Sequence, residues 1–333
     1  MKDIISLDYG SGGKKTSALI EKMIVPLLQN DVLCELGDSA LVPGAAKLSF
    51  STDSFVVSPA FFPGGNIGKL SVCGTVNDVS MGGGIPKYLS LSFIIEEGFE
   101  IEKLEKIIAS IGENAKKAGV SIVTGDSKVV ERGRGDGIYI NTAGIGFVKH
   151  EGLSPKKIQD GDVVILSGTA GDHGAAVMLA RNENLVQGDI LSDCAPLNKM
   201  AEALMDLGSD LRVLRDPTRG GVATTLCEFV EGTAHSIELE EDKIPVAPGV
   251  QSACDILGLD PLYCACEGKL LAVVAPDKAE EALEIIRRFP EGKNAAAIGT
   301  VSGEHGGHLI LRTSFGGSRV LTKLTGAQLP RIC

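Results

Sequence analysis

Apolar and polar residues recur along this chain with two periods, and each half of the chain runs through both. Residues 46–57 (AKLSFSTDSFVV) alternate in the two-residue period of a half-buried strand, with Asp53 embedded near the centre. Ile67, Leu70, Val72, Val76 and Val79 recur at helical spacing and predict a helix over residues 67–81. Residues 88–96 (YLSLSFIIE) read as a second strand. Residues 102–118 form an amphipathic helix with Leu104, Ile107, Ile108 and Ile111 on one face. Gly119 ends it in the usual C-terminal position. A strand over 120–123, a loop over 124–128 and a strand over 137–147 complete the first half.

The composition breaks over residues 150–162, and the alternation then restarts. Strands are predicted at 163–167, 270–275 and 309–312, and helices at 175–181, 199–207, 222–231 and 279–289. The expected division is an N-terminal glycine-rich segment (1–36), a first domain (37–150), a second domain (151–314) and a mobile tail (315–333). Strands and helices in mixed order favour α+β domains with helices on one sheet face.

With 333 residues there is enough chain for two cores. A net charge of −11, no Trp and 4% aromatics argue against nucleic acid as a partner. No run approaches a membrane span, and residues 1–13 lack the apolar stretch of a leader, so a cytoplasmic protein is expected. The eight cysteines are scattered through apolar stretches, as reduced thiols are. Cys254, Cys264 and Cys266 lack zinc-site spacing and are taken as core thiols.

Four aspartates in Gly/Ser/Thr-rich surroundings carry the candidate chemistry of the first half: Asp38, Asp53, Asp78 and Asp126. An Asp inside a strand or helix opposes local propensity. Several together suggest carboxylates converging on Mg²⁺ bridged to phosphates; capping and turn chemistry is the alternative for any one of them. Arg215-Asp216-Pro217-Thr218-Arg219-Gly220-Gly221, before a helix, suits an anion, although a plain glycine turn also accounts for it. His173 sits in a glycine-rich loop as a ligand, a base or a surface hydrogen bonder. Gly10 to Thr16 resembles a Walker A loop but has Asp8 for its first glycine and Lys15 for its hydroxyl residue, so it is read as a flap. Lys128 precedes Val129-Val130, where its amine could be partly desolvated, and Glu267 stands at a strand entrance; either could be a plain surface charge. Cys333 ends the chain on a segment that, extended from Leu324, could reach roughly 30 Å. A thiol there can travel to a partner and back, although an accident of where the chain stops also accounts for it.

These motifs together resemble the HypE family of hydrogenase maturation factors, in the aminoimidazole ribonucleotide synthetase-like superfamily. The resemblance runs through nearly the whole chain. It rests on residues 61–68 (FFPGGNIG), 74–81 (GTVNDVSM), 124–130 (TGDSKVV), 215–221 (RDPTRGG), 267–269 (EGK) and the terminal 330–333 (PRIC), the last being the most specific. Departures are Asp8-Tyr9 before the glycine-rich run, where relatives carry a His, and Cys266 before Glu267, where Asn is expected. The resemblance implies a two-domain α+β fold, a homodimer paired through the first domain, and ATP in the cleft. It also implies that Cys333 takes a carbamoyl group from HypF, that ATP drives its dehydration to a thiocyanate, and that the cyanide passes through HypC–HypD to the iron of [NiFe]-hydrogenase. Asp38, Asp53, Asp78 and Asp126 would hold Mg²⁺–ATP with Asn77, Asp216 and Thr218 assisting, and Lys128 and Glu267 would act on the thiocarbamate. Pro330 would stiffen the arm, and Arg331 would favour the thiolate. Two rivals are a superfamily enzyme acting on a small free substrate, such as a selenophosphate or thiamine-phosphate enzyme, and a non-catalytic carrier.

Overall fold

The structure, a computed structural model, describes residues 3–10, 13–36, 39–181, 190–324, 326, 329 and 331–333. An N-terminal helical stretch comes first: α1 (Lys14–Leu19), a π turn (Ile20–Ile24) and α2 (Val25–Leu28). The glycine-rich reading of residues 1–36 did not foresee it. Then follow β1 (Leu48–Phe55), the short ribbon β2 (Phe61–Phe62) and β3 (Gly65–Asn66), α3 (Ile67–Met81), β4 (Gly84–Glu96), α4 (Ile101–Ala118), β5 (Ser121–Val130) and β6 (Ile138–Val148). The sheet order is β1-β6-β4-β5, parallel only between β4 and β5.

Alternation in these strands separates two faces. The inner face, with Leu89, Leu91, Phe93 and Ile140, packs under α3 and α4 in one core. The outer face leaves Leu48, Phe50 and Ile94 exposed. Asn66 caps α3 by accepting from Gly68 N–H and Lys69 N–H. Of the α3 residues, all but Lys69 and Asp78 are buried, because α3 touches the sheet on one side and the second half on the other. The segment 124–128, expected as a loop, is strand. Its composition is turn-like, but Gly125 is there because a Cβ would collide with the Leu91 carbonyl of β4.

The second half contains β7 (Val163–Leu166), α5 (Asp172–Arg181), α6 (Asn198–Leu204), β8 (Leu211–Arg215), α7 (Gly221–Val230), β9 (Ser236–Glu240), α8 (Pro248–Leu257), β10 (Leu271–Val274), α9 (Ala279–Arg287), β11 (Ala296–Ser302), β12 (Leu309–Arg312) and β13 (Ser318–Leu321). Its sheet runs β13-β12-β9-β11-β7-β10-β8. Helices cover both faces rather than one: α7 packs with Val164 and Val273, while α6 and α9 pack with Ile165 and Val274. The central strands VVIL and LAVV are continuous apolar runs, as two-sided burial requires. The tail also starts later than residue 315, because β13 pairs with β12 through Leu321. The first three residues of β13 are exposed, so they lack an apolar signal.

Residues 190–198 thread between the halves. Asn77 donates to the Ala195 carbonyl (3.1 Å) and accepts from Leu197 N–H (2.7 Å), Asn198 donates to the Ala118 carbonyl (2.8 Å), and Ser192 N–H reaches the Pro63 carbonyl (2.8 Å). Asn77 therefore has both ends of its amide committed to backbone, where it staples the two halves. Replacing Asn77 with Ala would orphan a buried N–H and a buried carbonyl. We expect a loss of about 1–3 kcal/mol in urea unfolding, with nucleotide affinity retained by the folded fraction.

Candidate active site

Three elements aim acids at one cleft between the halves. The inner face of β1 contributes Asp53, and α3 contributes its one acid, Asp78, held by the Ser51 hydroxyl at 2.8 Å. From the second half, β8 runs out into Arg215-Asp216, with Asp216 buried. The loop then turns at Gly220 and Gly221, both at positive φ, to start α7. Glu267 enters from the neighbouring loop, which hydrogen-bonds to this one from Cys266 N–H to the Pro217 carbonyl (3.0 Å). Glu267 is buried, and its backbone N–H donates to Asp193 Oδ1 at 3.0 Å. Gly268 follows because a Cβ there would collide with the Asp193 carbonyl.

Burial and mutual repulsion dominate the electrostatics. Desolvation lifts the Asp53 and Asp78 carboxyls above the ordinary range against the pull of Arg219, with Arg215 also acting on Asp78. Asp216 is pushed up to about 7, first by burial and then by Asp78. Glu267 is raised well above its usual value by burial, then by Asp216 and Asp193, and its Oε1 is buried without a partner. A crowd of carboxyls that resist ionising is a site short of positive charge.

The end of the chain lies inside this cleft. Val56 N–H donates to the Cys333 carbonyl (3.0 Å) and Ser58 N–H to the Arg331 carbonyl (3.2 Å), so residues 331–333 run along the backbone beyond β1. Ile332 is buried in the first-half core. His173, expected in a loop, is a buried residue of α5 that contacts the Ile332 carbonyl (2.8 Å) and the Ser192 hydroxyl (2.8 Å). Arg181 donates to the Ser58 and Arg331 carbonyls, each at 2.5 Å. Burial, and then the charge of Glu267, push the Cys333 thiol up to about 12, while Arg219 opposes them with a hydrogen bond. The cation beside the thiol is thus Arg219. Arg331, expected to favour a thiolate, instead pairs with Asp136 and donates to the Val56 carbonyl (3.0 Å).

The remaining site residues fall elsewhere. Asp126 and Lys128 lie on β5, paired with each other at 2.5 Å and more than half exposed. Asp126 is in register with Ser92, and Ser92 with Asn141, which places both on the outer face; Asp53 is in register with Thr142 on the inner face. Three strand spacings, about 14 Å, also separate β5 from β1. Within one chain the aspartates therefore do not all converge, and Lys128 is not desolvated. The β5 edge, with Asp126 and Lys128, instead borders a cavity of about 360 Å³ under the N-terminal helical stretch. Thr218 is half-buried in the loop before α7. Asp38, Pro330 and the Ser11-Gly12 pair of the flap lie outside the described residues. Nothing in the sequence singled out Arg181 or Asp193, and Lys269 was noted only within the EGK motif; it is buried, with its amine 3.4 Å from both Asp172 and Asp193.

Residues 36–148 match the AIR synthase related protein N-terminal domain and residues 159–312 its C-terminal domain. The carbamoyl dehydratase HypE of Bradyrhizobium diazoefficiens is 47% identical over 332 residues, covering 99% of this chain and 96% of its own. The chain belongs to the HypE family. A crystal structure of hydrogenase maturation protein HypE in complex with ATP superposes with a TM-score of 0.94 at 45% identity, covering 98% of this chain and 99% of that one. HypE in a HypE–HypF complex gives 0.80 at 48% identity, over 92% and 100%. Thiamine monophosphate kinase of Aquifex aeolicus, at 19% identity and 0.63 over 92% of this chain and 99% of that one, shares the fold.

The raised pKa of Asp216 has a stability consequence. The folded state keeps a proton that the unfolded chain loses near pH 4, so this contribution is full below pH 4 and is lost as pH rises through about 7. Thermal melts of the ligand-free protein should show stability falling between pH 4 and 7. Asp216→Asn should flatten that decline and raise the midpoint at pH 7.5 by about 5 °C; an unchanged slope would mean that Asp216 is ionised in the fold.

Proposed function

We propose that this chain is an ATP-dependent carbamoyl dehydratase that converts an S-carbamoyl group on Cys333 to a thiocyanate, the source of cyanide for the iron of [NiFe]-hydrogenase. The observation that carries this reading is the seat of Cys333 beside Glu267, Arg219 and Asp53. Relatives named carbamoyl dehydratase HypE, a HypE solved with ATP and a HypE solved with HypF support it. The proposed partners are HypF, which carbamoylates Cys333, and the HypC–HypD complex, which takes the cyanide. A cytoplasmic location goes with this role, and no helix among the described residues is long and apolar enough to cross a membrane.

The docked thiol, with a pKa of about 12, is protonated at neutral pH and a poor nucleophile there. Carbamoylation therefore belongs to the undocked tail. Once acylated, the sulfur carries no titratable proton, so the neutral thiocarbamate can enter the desolvated cleft without a charge penalty. Converting S–C(=O)–NH₂ to S–C≡N breaks the C–O bond and removes both N–H protons. When bound, ATP supplies a phosphoryl group that makes the departing oxygen a phosphate, so the products are ADP, phosphate and the thiocyanate. Glu267, ionised as the cleft gains positive charge, accepts one N–H proton through its free Oε1, and the other leaves on the phosphate. Arg219 holds the tail sulfur and faces Asp53 and Glu267.

Asp53, Asp78 and Asp216 suit Mg²⁺–ATP because burial holds each above its ordinary pKa, and a bound cation would favour their ionised forms. No three carboxylate, thiol or imidazole groups among the described residues already stand at ligating spacing. Magnesium would thus keep water and phosphate oxygens in its remaining positions, as it prefers to do. Thr218 and the start of α7 face the same loop and are assigned to phosphate. Asp38 is assigned to the nucleotide on the family motif alone.

Lys128 and Asp126 fit this reaction only if they are supplied by a second copy. The outer sheet face that bears them also exposes Leu48, Phe50 and Ile94, as a pairing face would. The proposed homodimer pairs these faces, which puts Lys128 of one copy at the cleft of the other.

Two experiments test the reading. After incubation with HypF, carbamoyl phosphate and ATP, intact-mass measurement should show carbamoylation and then ATP-dependent loss of one water. Cys333→Ala should bind ATP and show neither change; a thiocyanate adduct on that variant would refute the carrier assignment. Separately inactive Lys128→Ala and Glu267→Gln proteins, mixed and allowed to exchange subunits, should recover activity at about a quarter of the sites. Exchange without recovery would place both residues in one chain's site.

A further inference from the structure

The proposed chemistry leaves a fully buried imidazole unused. His173 Nδ1 lies 2.8 Å from the Ser192 hydroxyl and Nε2 lies 2.8 Å from the Ile332 carbonyl. The Ile332 carbonyl can only accept, so Nε2 carries the proton and donates to the tail. In the neutral ring Nδ1 then accepts from the Ser192 hydroxyl, whose oxygen also accepts from Cys194 N–H at 3.1 Å. Burial holds the imidazole pKa below its ordinary value, so the neutral ring persists at neutral pH. Its edge-to-face contact with Phe62, at 5.3 Å, holds the ring plane from the first half of the chain.

The tail is gripped on both edges. The segment turns at Arg331, which sits at positive φ, and its main-chain oxygens find partners on two sides. The Arg331 and Cys333 carbonyls take Ser58 N–H and Val56 N–H on one edge. Such main-chain bonds would hold a segment of any sequence. The Ile332 carbonyl points the other way, and its partner is the His173 side chain.

We propose that His173 is a positioning residue that latches the carrier tail: its hydrogen bond to the Ile332 carbonyl, oriented through Ser192, holds Cys333 at the Asp53–Arg219–Glu267 site. Leaving the cleft strands a buried Nε2–H, so the latch resists release. The same bond re-forms on return. This deepens the proposed carrier role of Cys333, but it concerns only where the thiol stands.

Alkylation reads the latch without ATP or HypF, so its failure and failure of the dehydratase reading are distinguishable. Cys34 is exposed and the six cysteines other than Cys333 are buried, so a Cys34→Ser full-length background reports Cys333. Iodoacetamide labelling would be followed by intact mass, with melting midpoints measured alongside. His173→Leu, which has no donor, should raise the labelling rate about tenfold, as loss of one buried hydrogen bond would. His173→Gln, which restores an N–H near the Nε2 position, should return the rate to within about threefold of the parent. Ser192→Ala, which frees the ring without touching the tail, should give an intermediate rise. A folded His173→Leu protein labelling at the parent rate, or His173→Gln labelling as fast as His173→Leu, overturns the proposal. If His173→Leu does not fold, Ser192→Ala decides: faster labelling supports the latch and the parent rate overturns it.

Discussion

Everything at this site depends on the last three residues being held against the backbone that follows β1. Two main-chain hydrogen bonds from Val56 and Ser58 fix the direction of the tail, and Ile332 fills a place in the first-half core. A terminal segment is ordinarily solvated. Here its apolar side chain and paired carbonyls bring a thiol into a desolvated cleft at the junction of the halves. The same bonds define what must be broken for the thiol to reach any other protein.

That cleft is electrostatically unbalanced by construction. β1, α3, β8 and the loop before β10 each deliver a carboxyl, and two arginines, Arg215 and Arg219, face them. Burial makes every one of these acids weaker and makes Cys333 a poorer thiolate. A resting site that disfavours negative charge suits a neutral thiocarbamate and draws a cation with its phosphates. The stiffness needed to hold like charges together comes from the Asn77 staple, from Gly268 against Asp193, and from the Lys269 ion pairs behind Glu267.

Much of this was legible beforehand. Asp53 and Asp78 stood out because a carboxylate inside an apolar strand or helix has no local reason to be there. The Asp216 loop and Glu267 were legible as glycine-flanked polar runs at element boundaries. Asp126 and Lys128 were found by motif but placed wrongly, because a turn-like composition concealed an edge strand whose alternation sends them to the opposite face. The backbone bonds of Asn77 were not legible, because an amide looks the same in sequence whether or not it binds backbone. β13, with three of its four residues exposed, gave no signal, and the short alternating β9 (SIELE) was overlooked.

The sequence by itself determined the long periodic elements, the break near residue 150, the glycine positions that allow close backbone approach, and the family to which the terminal motif belongs. These follow from local rules: residue period, backbone freedom and short motifs. Only the tertiary structure decided that the tail lies in the cleft, that the cation beside Cys333 is Arg219 rather than Arg331, and that a buried histidine holds the tail. Desolvation, charge coupling and hydrogen bonding between Ile332 and a residue 159 positions away depend on distances across the fold, which no local pattern encodes.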